Sequence, residues 1–184
     1  MARKYVWYDE YIRTTDDTEL IWPHFIRDFI FQHRLRYMVY FRIAQASKSR
    51  FVRLFCKFCL YRMSRKFGIE IKPTTRIGSG FVMVHPYNIT ISHLAVIGRN
   101  VNILKGATVG YSGGKHPGAP TIGDRVYIGL NATVLGGITV GDDVLIAPNT
   151  LVNQDVPSHS IVLGNPCRII PKEHATREYI YNCV

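Results

Sequence analysis

The chain has 184 residues, an apolar content of 47% and a formal net charge of +10. That length suits one compact domain with an appendage, and the apolar content supplies a sizeable core. No run approaches the roughly eighteen apolar residues of a membrane-spanning helix, no signal peptide is read at the start, and the four cysteines form no disulfide framework; a cytoplasmic protein is expected.

The charge is unevenly placed. Between residues 29 and 66 stand ten Lys or Arg and no Asp or Glu. A basic half implies an anionic neighbour or a solvated helical face, and no nucleic-acid motif accompanies it. In chain order, the polar run 14–19 reads as a loop and 24–46 as helical, with Pro23 near its entry. Within 50–67, Phe51, Phe55, Cys59, Met63 and Phe67 recur at four-residue steps with Leu54 and Phe58 beside them, while Arg50, Arg53 and Lys57 lie on the other side. This is a basic amphipathic helix, the kind that makes peripheral contact with the inner face of a membrane. Cys56 and Cys59 form a single C-x-x-C inside it; with no second pair to complete a zinc site, they read as packing thiols.

From Ile71 onward the pattern changes. Ile71, Ile77, Met83 and Ile89 recur every sixth residue; Ile91, Ile97, Ile103 and Val109 form a second series displaced by two; Ile122, Ile128, Val134, Val140, Ile146 and Val152 form a third. Small or β-branched residues sit four places on, at Val101, Ala107, Val126, Ala132, Ile138, Val144 and Thr150. A period of six is neither helical nor strand-like. It fits a short strand and a tight corner, three of which close one triangular coil, with coils stacked at about the spacing of strands in a sheet. The break between the second and third series, GYSGGKHPGAPT, is rich in Gly and Pro and reads as a projecting loop; its Gly-Gly-Lys lacks the first Gly and the Ser or Thr of a phosphate loop. After Pro166 the chain leaves the coil for a tail rich in Tyr and charge. The organisation expected is a helical segment over 1–68, a β-helix over 69–171 and a tail over 172–184, with two helices ahead of about five coils.

His85, His93 and His116 lie in or beside the first coils. His85 takes a repeat position that an aliphatic or small residue would fill comfortably, and Glu70 precedes it by fifteen residues, close to one coil. A carboxylate beside an imidazole fixes the tautomer and raises the basicity of the ring, as a general base requires.

At these residues the chain resembles the serine acetyltransferase-like branch of the hexapeptide acyltransferases. The matching stretches are EIKPTTRIGSGFVMVHP, AVIGRNVNILKGATVG, PTIGDRVYIGLNATVLGGITVGDDVLIAPNTLVNQDVP and GNPCRII, a little over half the chain. The resemblance implies a left-handed parallel β-helix, a homotrimer, acetyl-CoA as co-substrate with no metal, and a dyad of His85 as general base and Glu70 as its orienting carboxylate. It implies direct transfer, with backbone N–H groups near Gly110 and Tyr111 facing the oxyanion. It places the pantetheine arm past Leu130 and Pro148, in a groove between neighbouring subunits. It implies Arg168 near the nucleotide phosphates, with Lys115 a second phosphate candidate. Cys167 is not expected to act as a nucleophile.

The departures shape the acceptor. Serine acetyltransferases carry an Asp before the catalytic His and an Arg-His pair ahead of a later repeat, where this chain has Val84, and Gly118 with Ala119. A charged amino acid would find no obvious partners there. The pattern, including His85-Pro86-Tyr87-Asn88-Ile89-Thr90-Ile91, looks more like the O-acetyltransferases of capsule and exopolysaccharide pathways. The expected acceptor is accordingly a hydroxyl of a sugar or polysaccharide precursor, with Asn88, His93 and Lys105 on its side of the site. Serine O-acetylation for cysteine synthesis is the alternative. Two readings of other classes stand beside it: a non-catalytic trimeric scaffold, and a zinc enzyme like the β-helix carbonic anhydrases, with His85, His93 and His116 as ligands.

Overall fold

The computed structural model describes residues 5–15, 17 and 19–184. Residues 70–171, a little over half of the chain, form a left-handed parallel β-helix with three faces. Two faces have five and four parallel strands; the third has six, of which the last, Arg168–Pro171, runs antiparallel to Ser160–Leu163. Every aliphatic residue of the three six-residue series is buried, from Ile71 through Val152, and together they fill the prism.

The two changes of phase have a direct structural meaning. Along the third face Val82 stacks beneath Asn102, and on the first face Thr90 stacks beneath Thr108. The chain therefore spends eight residues from Val82 to Thr90 and six from Asn102 to Thr108 on the same corner. The two extra residues fall in His85-Pro86-Tyr87-Asn88. The second change is the loop after Gly110, which leaves the corner beyond the first face. At the corner before the third face, Gly78, Gly98, Gly123 and Gly141 stack; a Cβ on Gly98 would lie 2.4 Å from the carbonyl oxygen of Gly123. No side chain fits between backbones that close.

An open prism end exposes apolar residues and unpaired backbone, so it needs a cap. Four helices supply it: α1 (Tyr8–Thr14), α2 (Trp22–Phe31), α3 (His33–Ala46) and α4 (Arg50–Phe67). The expected two become four because 24–46 breaks at Gln32, which is extended, and because Tyr8–Thr14 is also helical; the expected loop over 14–19 falls partly outside the described residues. Tyr37 and Phe41 of α3 are fully buried against the first coil, and the Tyr37 hydroxyl donates to the Ile71 carbonyl at 3.1 Å. Arg42 donates to the Ile77 carbonyl at 2.7 Å and to that of Gly78, and pairs with the buried Glu10 of α1 at 2.6 Å.

The packing face of α4 is Cys56, Leu60 and Met63, not the whole four-step series from Phe51 to Phe67. Four residues exceed one helical turn by about 40°, so such a series spirals away from the face it starts on. Phe67 and Met63 point inward; Phe55 and Phe51 face solvent. Ser49 caps the helix and Gly68, left-handed, ends it.

The tail packs back on the coils. Buried Asp143 accepts from the Ala175 and Thr176 amides at 3.1 Å each and from the Thr176 hydroxyl at 2.7 Å, with His159 Nδ1 at 2.9 Å. Burial alone would raise the Asp143 carboxyl, but the hydrogen bonds from Thr176 and His159 outweigh it and hold the group below its ordinary value. Because the folded value is depressed, this contribution is complete above the ordinary carboxylate range and is lost as pH falls through the folded value, below about pH 4. Asp143→Asn should cost about 1–3 kcal/mol and make the segment after Pro171 a site of early proteolysis at neutral pH. An unchanged melting temperature and cleavage pattern would refute the clasp.

Candidate active site

His85 closes the third-face strand Val82–Val84 and opens the long corner. His85 and Asn88 both have positive φ, 50° and 53°, so two left-handed residues turn the chain there. The corner is held from below and above: Asn88 N donates to the Phe67 carbonyl at 2.9 Å, Lys105 N to that of Val84 at 3.2 Å, and Gly106 N to that of Tyr87 at 2.9 Å. Gly68 has a φ of 68°, and a Cβ there would lie 3.2 Å from Asn88 Cα and displace the Asn88 side chain, so glycine is preferred. Tyr87 packs edge-on against Phe67 and His33, ring centroids at 5.6 and 5.3 Å, and His33 stacks on Phe67 at 4.3 Å. Burial, with Arg36, Lys66 and Arg34 nearby, lowers the His33 imidazole below its ordinary value. His33 thus joins the buttress of the corner as a largely uncharged ring, a role its place in the sequence gives no hint of.

The same corner rises through the stack. Asn131 N donates to the Lys105 carbonyl at 3.1 Å and Asn149 N to that of Leu130 at 2.8 Å. His85, Lys105, Leu130 and Pro148 therefore lie in one column along a single prism edge, with Asn88 at its foot. At its upper end Leu151 N bonds the Gly164 carbonyl, and Arg168 pairs with Leu163. Glu70 begins the first face one coil below; its amide donates to the Ile89 carbonyl at 2.7 Å, and it is the register partner of Thr90. Glu70 and His85 are both exposed at adjoining coils, and no hydrogen bond joins their side chains within the single chain.

Other expected residues sit elsewhere. His93 lies at the far end of the first face, beside a cavity of about 460 Å³ that Glu70, Thr90, Lys57, Tyr61 and Ser64 also line. Gly110, Tyr111, Lys115 and His116 belong to the projecting loop at that same far corner, where Gly136 N bonds the Gly110 carbonyl and Gly137 N that of His116. Within one chain Lys115 is thus not on the edge that carries Arg168. The three histidines are divided between two prism edges, and no group of three or more His, Cys, Asp or Glu suited to a metal is found among the described residues.

A second cavity, of about 310 Å³, was not foreseen. It is lined by Val84, Asn102, Thr14, Thr15, Arg13, Arg34 and the tail residues Tyr181 and Asn182. Arg13 is committed to the Gly80 carbonyl, to Asn102 Oδ1 and to the Tyr181 carbonyl. Arg34 donates Nε to Gln32 and Nη2 to the Thr14 carbonyl, and its Nη1 has no hydrogen-bond partner among the described residues. Positive charge therefore stands beside Val84, the residue before His85. The helical cap brings that charge to the corner from far away in sequence.

A family model described as bacterial transferase hexapeptide (six repeats) matches residues 119–154. Serine acetyltransferase of Staphylococcus epidermidis is 34% identical over 167 residues, 89% of this chain and 70% of that protein. The chain belongs to the serine acetyltransferase family of hexapeptide-repeat transferases. Serine acetyltransferase 4 of Arabidopsis thaliana is 40% identical over 134 residues, 66% of this chain but 38% of that protein, so the chain spans little more than a third of this plant relative. Among solved structures, serine acetyltransferase from Brucella abortus superposes with a TM-score of 0.73 at 30% identity, covering 91% of this chain and 68% of that one. The Neisseria gonorrhoeae enzyme in complex with serine does so with 0.69 at 30%, covering 89% and 65%. The family is thus that of the expected resemblance, but its narrower assignment to capsule and exopolysaccharide acetyltransferases gains no support, nor does a sugar as the acceptor. Of the residues that favour that branch, Val84 adjoins His85, whereas Gly118 and Ala119 lie at the far corner with the projecting loop.

Proposed function

We propose that the chain transfers the acetyl group of acetyl-CoA to an acceptor hydroxyl, with L-serine as the acceptor that its relatives and the Arg34 cavity favour. The observation that carries this is the column of His85, Lys105, Leu130 and Pro148 on one edge with Glu70 on the adjoining coil. The acceptor oxygen attacks the thioester carbonyl as the His85 imidazole takes its proton; the C–S bond then breaks and the imidazolium returns that proton to the departing thiolate. Glu70 orients the ring and stabilises its cation. Pantetheine runs up the edge past Leu130 and Pro148 toward Arg168. Backbone N–H groups near Gly110 and Tyr111 reach the reacting group, and Lys115 the phosphates, from the neighbouring subunit of a homotrimer, because in one chain they stand at the other end of the face. Asn88 and Lys105 lie on the acceptor side of the His85 edge, and His93, at the far end of the face, reaches the acceptor only from the neighbouring subunit.

Val84 supports a second reading, a sugar hydroxyl, since no carboxylate stands there to meet an ammonium group. Thiol release from acetyl-CoA, measured with L-serine and with a panel of hexoses and N-acetylhexosamines, separates the two. Release above the acceptor-free rate with serine, and not with sugars, is expected. Release with sugars alone would transfer the proposal to the second reading, and release with neither would overturn both.

A further inference from the structure

Large apolar side chains are exposed on two helices of the cap. On α4, Phe51 is 84% exposed, Leu54 64%, and Phe58 and Tyr61 more than half. With Arg62 and Arg65 among them, they cover the side opposite Cys56, Leu60 and Met63; exposed Arg50, Arg53 and Lys57 line a flank. On α2, Trp22, Ile26 and Ile30 stand at four-residue spacing, and Phe31 is 78% exposed. The two helices are bridged by aromatic contacts through α3: Phe29 meets Tyr40 with centroids 5.7 Å apart, and Tyr40 meets Phe55 at 6.3 Å. So much exposed apolar surface in one part of a molecule marks something that covers it.

Charge decides what that is. No acidic residue occurs between Asp28 and Glu70, and Asp28 is buried and paired with Arg27. A second copy of this face would set arginines and lysines against their like, which is costly at an interface. An anionic lipid surface meets both features: aromatic and aliphatic side chains enter the boundary of the acyl chains, and long basic side chains beside them reach the phosphate headgroups. No described helix is long and apolar enough to cross a membrane, so the contact lies in the interface plane. We propose that α2 and α4 form a docking surface for an anionic phospholipid bilayer. The inference is independent of the acyl-transfer reading.

The test is co-sedimentation of the full chain with phosphatidylserine-containing vesicles and with pure phosphatidylcholine vesicles, at low and high salt. Binding is expected to the anionic vesicles, to weaken with salt and to be much weaker on the neutral ones. Phe51→Ser with Phe58→Ser, and separately Arg50→Gln with Arg53→Gln, should each weaken partitioning roughly tenfold or more. Both pairs are exposed, so melting temperature and solution mass should not change. Absence of binding to anionic vesicles, or binding untouched by either pair, would overturn the proposal. A change of solution mass in the phenylalanine variant would overturn it too, because the face would then be an interface between copies of the chain.

Discussion

Replacing His85 with Asn should lower the turnover of acetyl transfer by roughly 10²–10⁴-fold, the usual worth of a positioned general base. Asn suits the site because His85 has a φ of 50°, and Asn adopts this left-handed conformation more readily than Ala. The side chain is exposed, and the backbone around it is held by the Tyr87 amide on its own carbonyl at 2.8 Å. The melting temperature should therefore stay within about 1 kcal/mol of the parent in stability terms. Affinity for CoA should also be retained, since the expected contacts of the cofactor lie further up the edge. Glu70→Gln, which keeps shape and removes charge, should give a smaller loss in the same parameter. Steady-state kinetics with L-serine read both. Parental turnover in the His85 variant would remove the assignment of His85 as the general base.

The second large effect is on stability. Arg42→Leu should cost about 3–5 kcal/mol, because it strands the Glu10 carboxylate in the interior. Glu10 has a side chain only 1% exposed and Arg42 11%. Burial pushes the Glu10 carboxyl above its ordinary value and Arg42 works against that push, so without the guanidinium the group must be protonated or the cap must open. The same substitution deprives the carbonyls of Ile77 and Gly78 of their donor, at the end of the prism where no further coil would pair them. Denaturant unfolding should show the loss, and hydrogen exchange should place it in α1, α3 and the first coil. A loss below about 1 kcal/mol would mean that the pair is no more than a surface contact.

The β-helix was legible because its rule is local. A buried aliphatic every sixth residue needs no knowledge of distant partners, and each break in phase marks an inserted corner. The two-residue shift between Ile89 and Ile91 turned out to be the corner that presents His85, so the irregularity itself pointed to the site. The helical cap was less legible. Its packing depends on Tyr37, Arg42 and Gln45 reaching carbonyls of the first coil, and no periodicity encodes such contacts. The Arg34 cavity is the clearest case. It joins the end of α1, the start of α3, Val84 and the C-terminal tail, segments that only the finished fold brings together. The expectation of a sugar acceptor, which the relatives do not support in preference to the serine alternative, weighed only positions next to His85 in sequence or matched by motif. The expected packing stripe of α4 erred for a geometric reason, since a four-residue step is not the period of a helix.

The most direct measurement is a crystal structure of the assembled protein with CoA bound. The account predicts the CoA sulfur within hydrogen-bond reach of a His85 imidazole nitrogen. The pantetheine should lie against Leu130 and Pro148, and the phosphates toward Arg168, in a groove completed by the projecting loop of a second chain. CoA bound away from this edge, or a His85 ring directed away from the sulfur with Glu70 remote from it, would contradict the account.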